Sequence, residues 1–271
     1  MINFTKPMIM GILNVTPDSF SDGGAYPSTS DAVAHAEIMA RQGADIIDIG
    51  GESTRPGAER VSAQEQIRRV VDVVGEVKRT LPNDILISID TTLSEVAETA
   101  ITAGASVIND VTAGTDDKEM LNLAADKKVP ICLMHMQGRP NNMQNNPQYD
   151  NVLDEVLSFL LRQADKAKKA GVDDKNIIID PGIGFGKTTE HNLILLKNLK
   201  EIVATGYLVM LGASRKRFMG DICNVEESAQ RIPATCATTA LGVLSGAHIF
   251  RVHDIWQNRQ ALDVAWNTIH A

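Results

Sequence analysis

Polar residues follow short apolar runs along most of this chain. They are Asn14, the stretch Gly50-Gly51-Glu52, Asp90, the pair Asn109-Asp110, His135, Asp180, Gly212 with Ser214 and Lys216, and Arg251 with His253. Any one of them reads as a helix cap or a turn residue. Repeated after run upon run, they read as the rim of a binding site. The rim sorts by charge. Asp90, Asn109 and Asp180 offer acceptors and one amide donor, a set that suits a planar, nitrogen-rich ring with adjacent N–H groups. Arg215, Lys216, Arg217, Arg251 and His253 offer positive charge, and guanidinium forks match phosphate oxygens in pairs. The implied ligand has a nitrogen-rich ring at one end and a phosphate at the other.

Two connections, Thr16 to Pro27 and Gly50 to Ala58, are rich in Gly, Pro and Ser, yet carry Asp18 and Phe20 in one and Thr54 and Arg55 in the other. Reactive side chains in such hinge-like settings are expected to close over a ligand. Other signals are weaker. Gly182 to Lys187 lacks the spacing of a nucleotide-binding glycine loop and reads as a turn, with Lys187 adding only to the positive field. His135 reads as a packing residue, and His35, His191, His248 and His270 show no paired ligand spacing. Met136 to Tyr149, polar and long, reads as a mobile connection. Trp256 and Trp266 read as core or subunit contact.

The elements that must position these residues repeat regularly. Apolar runs at Met8–Asn14, Asp45–Gly50, Ile85–Asp90, Ser106–Val111, Pro130–His135, Ile177–Pro181, Tyr207–Gly212 and Ala247–Val252 are rich in Ile, Val and Leu with little alternation, as strands buried on both faces should be. Helical patterns separate them, at about 34 residues per strand-and-helix unit. Ser62 with Glu65 and Thr92 with Glu95 read as capping boxes. Gly43, Gly104, Gly171, Gly206 and Gly246 read as helix ends. The favoured architecture is α/β, a single (β/α)8 TIM barrel spanning residues 1–271, with an open doubly wound sheet as the alternative. In a barrel, active residues gather where strands finish.

Composition narrows the function classes. The chain has 271 residues and a net charge of −8, which argues against a general nucleic-acid binder but not against an anionic small molecule held at a local basic sector. Cys132, Cys223 and Cys236 are widely spaced, so neither a disulfide framework nor a structural zinc site is expected, and a reducing, cytoplasmic compartment fits. No stretch approaches the roughly 20 apolar residues of a membrane span.

Taken in order, the motifs resemble a family. Met10 to Gly24, with Asn14, Asp18 and Phe20, resembles the first signature of bacterial dihydropteroate synthases, and Asp48 to Ala58, with Thr54-Arg55-Pro56-Gly57, resembles the second. Ser88-Ile-Asp90-Thr, Ile108-Asn109-Asp110, Asp180 to Gly186, Gly212-Ala-Ser214-Arg-Lys216 and Arg251-Val-His253-Asp254 match the remaining ones. The resemblance implies a pterin-binding TIM barrel that condenses 6-hydroxymethyl-7,8-dihydropterin diphosphate with p-aminobenzoate in folate synthesis, by loss of pyrophosphate and then amine attack. It implies that Asp90, Asn109, Asp180 and Lys216 bind the pterin. Asn14 would help hold Mg²⁺ and the diphosphate, with Arg251 and His253 on the same anion. Thr54, Arg55 and Pro56 would descend with the second loop, and Phe20 and Phe185 would enclose p-aminobenzoate beside Ser214. Asp90, Lys216, Arg55 and Asn14 would carry the chemistry, with Asp18 near the substrate. The resemblance further implies a homodimer and competition by sulfonamide-type mimics. Two rival readings are a barrel transferring a methyl group from methyltetrahydrofolate to a corrinoid protein, and a non-catalytic pterin-binding homologue. Neither explains the cationic sector and the Ser-Thr-Arg-Pro loop together.

Overall fold

The structure, a computed structural model, describes residues 6–16, 28–53 and 57–271. Strands and helices alternate: β1 (Met8–Asn14), α1 (Thr29–Arg41), β2 (Ile46–Gly50), α2 (Ala63–Thr80), β3 (Leu86–Asp90), α3 (Ser94–Ala103), β4 (Val107–Asp110), α4 (Glu119–Lys127) and β5 (Ile131–Met134). They continue with α5 (Val152–Ala170), β6 (Ile177–Asp180), α6 (Thr189–Lys197), α7 (Leu199–Val203), β7 (Leu208–Leu211), α8 (Arg217–Cys223), α9 (Ile232–Leu244), β8 (Ile249–Val252) and α10 (Ile255–Ile269). The strands are parallel and close on themselves in chain order, β1 pairing with both β2 and β8. The eightfold barrel is therefore the fold, and the open sheet is set aside.

Each strand falls within or matches an apolar run read from the sequence. The outward faces meet the helices in a continuous core that includes Ile47, Ile49, Ile89, Ile108, Leu133 and Ile179. Helix α2 shows how the pattern works: Val70, Val73, Val74 and Val77 recur at helical spacing and are all buried. Its N-cap is Ser62, which accepts from the Glu65 amide. The reciprocal half of the expected box is missing because the Glu65 carboxylate is taken by Arg68 and Arg69. The Thr92–Glu95 box does not form at all. Thr92 accepts from Arg60, and the Ser94 amide that opens α3 donates to Asp117 from the following loop. All the glycines read as helix ends have positive φ. At Gly104 a side chain would also collide with Lys78, 2.7 Å away.

The barrel interior is stacked in layers. Met10, Ile46, Val107, Cys132, Ile178, Met210 and Ile249 form one apolar layer. Two residues further along the same strands, and so on the same inward face, stand Asp48, Asn109, Asp180, Gly212 and Arg251. Strand geometry thus places a charged layer directly on an apolar one.

The connection from Met136 to Tyr149 differs from the mobile loop expected. Gln137 and Gln148 exchange two hydrogen bonds, Gln144 donates to the Gly184 carbonyl and Tyr149 to the Gly186 carbonyl, and Met143 is buried. The loop is pinned at both ends and at its middle.

Candidate active site

A cavity of about 670 Å³ opens at the C-terminal end of the barrel, with Asn14, Phe185, Ser214, Lys216, Arg251 and His253 in its wall. That volume lies within the range of small-molecule sites. Asp90, Asn109 and Asp180 are 5%, 1% and 2% exposed and do not line it. Arg251 closes over part of this set: its Nε donates to Asp48 Oδ2 at 2.7 Å and its Nη2 to Asp90 Oδ2 at 2.6 Å. Asn109 Nδ2 donates to that same Asp48 oxygen at 2.9 Å.

Asp48 was not singled out in the sequence, where it stands inside an apolar run. A carboxylate within an otherwise Ile-rich strand, at an inward-facing position, is the signal that could have found it. It is fully buried and binds one residue expected on the ring and one expected on the anion. The charge sorting read from sequence is modified accordingly, because Arg251 bridges the acceptor and cationic sectors. Among the described residues, Asp48 Oδ1, Asn109 Oδ1 and Ser88 Oγ are buried without a partner. Unsatisfied acceptors packed this closely mark a place built for a ligand or water.

The electrostatics follow from burial. Burial pushes the Asp180 carboxyl up to about 6, against its hydrogen bond from the Gly182 amide and the pull of Lys216, Lys187 and Arg251. Burial also raises Asp90, with Arg251 opposing. Lys216 is drawn down to about 8 by burial and by Arg251, with Asp180 and Asp90 opposing. Its ammonium sits 3.9 Å over the Phe185 ring, a cation–π contact that orients both.

Ser214 Oγ lies 3.0 Å from His253 Nδ1 and accepts from the His253 amide, joining the ends of β7 and β8. Arg215 lines the cavity while paired with Asp254, and the exposed Arg217 lies at the cavity edge. Asp18, Phe20, Thr54, Arg55 and Pro56 lie outside the described residues. His135 is buried edge-on against the Phe159 ring, as a packing residue should be, and its Nδ1 lies 2.9 Å from Nζ of the buried Lys187, which was read only as a contributor of field.

The family model of pterin binding enzymes matches residues 10–253. A dihydropteroate synthase of Synechocystis is 46% identical over 96% of this chain and 89% of its own length. The chain belongs to the dihydropteroate synthases. Solved members share the fold throughout. The Yersinia pestis synthase, in complex with a sulfonamide drug, superposes with a TM-score of 0.93 at 40% identity, covering 100% of this chain and 97% of that one. The Xanthomonas albilineans synthase in complex with 7,8-dihydropteroate gives 0.88 at 39% identity, covering 100% and 96%.

Proposed function

We propose that this site condenses 6-hydroxymethyl-7,8-dihydropterin diphosphate with p-aminobenzoate to give 7,8-dihydropteroate and pyrophosphate. The observation that carries the reading is the meeting of two unlike surfaces at one barrel mouth. Buried acceptors at Asp90, Asn109 and Asp180 adjoin a cavity walled by Lys216, Arg251 and His253. The dihydropteroate and sulfonamide complexes of relatives support it. In this reading Asp90, Asn109, Asp180 and Lys216 seat the pterin ring, and Arg251 and His253 hold the diphosphate. Phe185 and Ser214 enclose p-aminobenzoate, with Phe20. Thr54, Arg55 and Pro56 close from the second loop, and Asp18 contributes from the first.

The reaction breaks the C–O bond between the pterin methylene and the diphosphate, and the bonding electrons leave with pyrophosphate. Positive charge develops on the methylene and spreads into the ring. Asp90 in its ionised form, which burial disfavours, favours that charge, by up to about 4 kcal/mol for unit charges ~4 Å apart at an effective dielectric of ~20. Arg251 on the same carboxylate reduces this figure. The neutral amine of p-aminobenzoate then attacks, a C–N bond forms and the amine sheds a proton. No group of the protein becomes covalently attached.

The Mg²⁺ implied by the resemblance fits the donor set in one form only. Among the described residues no cluster of three His, Cys, Asp or Glu side chains could cage a metal. Asn14 offers a single amide oxygen at the cavity. That suits a hydrated ion carried on the diphosphate, because Mg²⁺ keeps several waters and prefers phosphate oxygens. When bound, it would spread the charge of the departing pyrophosphate.

No helix among the described residues is long and apolar enough to cross a membrane, and we place the reaction in the cytoplasm. The assembly we propose is a homodimer through the adjacent α9 and α10, where Leu241, Leu244, Trp256 and Val264 are exposed. The deciding experiment is pyrophosphate release from the pterin diphosphate and Mg²⁺, with and without p-aminobenzoate. Release accelerated by p-aminobenzoate, with dihydropteroate formed, is the expected result. Pterin binding without turnover would favour the non-catalytic reading.

A further inference from the structure

Lys187 is 3% exposed, and none of the steps above uses it. Its ammonium donates to the Gly182 carbonyl at 2.9 Å and the Phe185 carbonyl at 3.0 Å. It lies 2.9 Å from His135 Nδ1 and 3.3 Å from the His135 carbonyl. Burial draws Lys187 down to about 7, with Asp180 opposing; in its protonated form it has donors only, so the His135 Nδ1 accepts and the ring proton sits on Nε2. Burial and the neighbouring ammonium hold His135 down at about 3, which keeps that acceptor neutral.

The ammonium therefore ties the loop after β6 to the start of the long loop after β5. These two backbones already touch. A Cβ at Gly182 would stand 1.9 Å from the His135 carbonyl oxygen, and one at Gly186 would stand 2.2 Å from that of Gln137. Gln144 and Tyr149 add hydrogen bonds to the Gly184 and Gly186 carbonyls. Residues 135–149 and 181–187 thus form one wall of the cavity. That wall carries Phe185 and holds Asp180, which ends β6 beside it. The Phe185 ring faces Lys216, and the Gly182 amide donates to Asp180 Oδ1 at 2.7 Å. A buried charge held by dipoles is costly unless each donor is met, and here the acceptors are the His135 ring nitrogen and the carbonyls of His135, Gly182 and Phe185.

We propose that Lys187 is a positioning residue for the p-aminobenzoate seat, fixing the Phe185 ring through its carbonyl and joining the two loops into one wall. The proposal rests on the assignment of Phe185 to p-aminobenzoate.

The test is steady-state kinetics of Lys187→Met with the pterin diphosphate, Mg²⁺ and p-aminobenzoate. The KM for p-aminobenzoate is expected to rise at least tenfold, with kcat changed less than threefold. Phe185→Ala should raise the same KM in the native chain but add little on top of Lys187→Met, whereas Ser214→Ala should add its full effect in both backgrounds. A folded Lys187→Met with an unchanged KM, or independent multiplication of the Lys187 and Phe185 effects, overturns the proposal. If Lys187→Met does not fold, His135→Leu removes one acceptor from the same ammonium. A smaller rise in that KM is then expected, and no rise overturns the proposal. A native chain that releases no pyrophosphate defeats the proposed function and this role together. A native chain that turns over beside an unchanged variant defeats the role alone.

Discussion

Asp180 is held by the Gly182 amide at the end of β6, and burial raises its carboxyl to about 6. Only the ionised form accepts from two ring N–H groups, so pterin affinity is expected to fall as pH drops through about 6. Asp180→Asn should weaken pterin binding by about 1.5–3 kcal/mol, the scale of a charged hydrogen bond, as read by titration calorimetry. Stability runs the opposite way. A carboxyl whose folded value exceeds its unfolded one contributes fully below about pH 4, and that contribution is lost as pH rises through about 6. Asp48 makes a different prediction. Asp48→Asn leaves Arg251 with one buried partner in place of two and should destabilise the fold by about 3 kcal/mol in urea unfolding. Most of the polar residues that gather at the mouth were legible in the sequence because each ends an apolar run. Asp48 was not, because its partners Arg251 and Asn109 are brought to it only by closure of the barrel. Lys187 was missed for a related reason: its partners are backbone carbonyls, which no sequence pattern marks.

At the scale of elements, the strands were legible nearly residue for residue, because a strand buried on both faces must be apolar throughout. Caps were less so. Ser62 caps α2 as its spacing suggests, but the Thr92–Glu95 spacing led nowhere because Asp117 reaches the α3 terminus first. A side chain from another loop can always outbid a local one, and the sequence does not say which will arrive. The long loop after β5 shows the same thing: its polarity reads as mobility, yet the polar groups are what pin it. Gly182 makes the packing testable. It has φ +66, and a side chain there would collide with the His135 carbonyl. Gly182→Ala should cost about 3–4 kcal/mol by urea unfolding, the sum of a strained left-handed residue and a backbone clash.

At the scale of the whole molecule, Leu241, Leu244, Trp256 and Val264 on α9 and α10 are exposed, and the proposed homodimer would cover them. Leu241→Glu with Trp256→Glu should shift the mass measured by light scattering from dimer to monomer, with little loss of secondary structure by circular dichroism. The sequence showed Trp256 but not what surrounds it, since the packing of α9 beside α10 is a product of the tertiary fold. The apolar layer of Met10, Ile46, Val107, Cys132, Ile178, Met210 and Ile249 has its own consequence. It stoppers the barrel below the charged layer, so among the described residues that layer has one door, at the C-terminal mouth. Traffic through one door is last in, first out. On the seats proposed above, the pterin enters before p-aminobenzoate sits above it, and a p-aminobenzoate mimic that arrives afterwards shuts the pterin in. Initial-velocity kinetics should therefore show ordered entry, and a pterin diphosphate bound behind a sulfonamide should exchange more slowly than one bound alone.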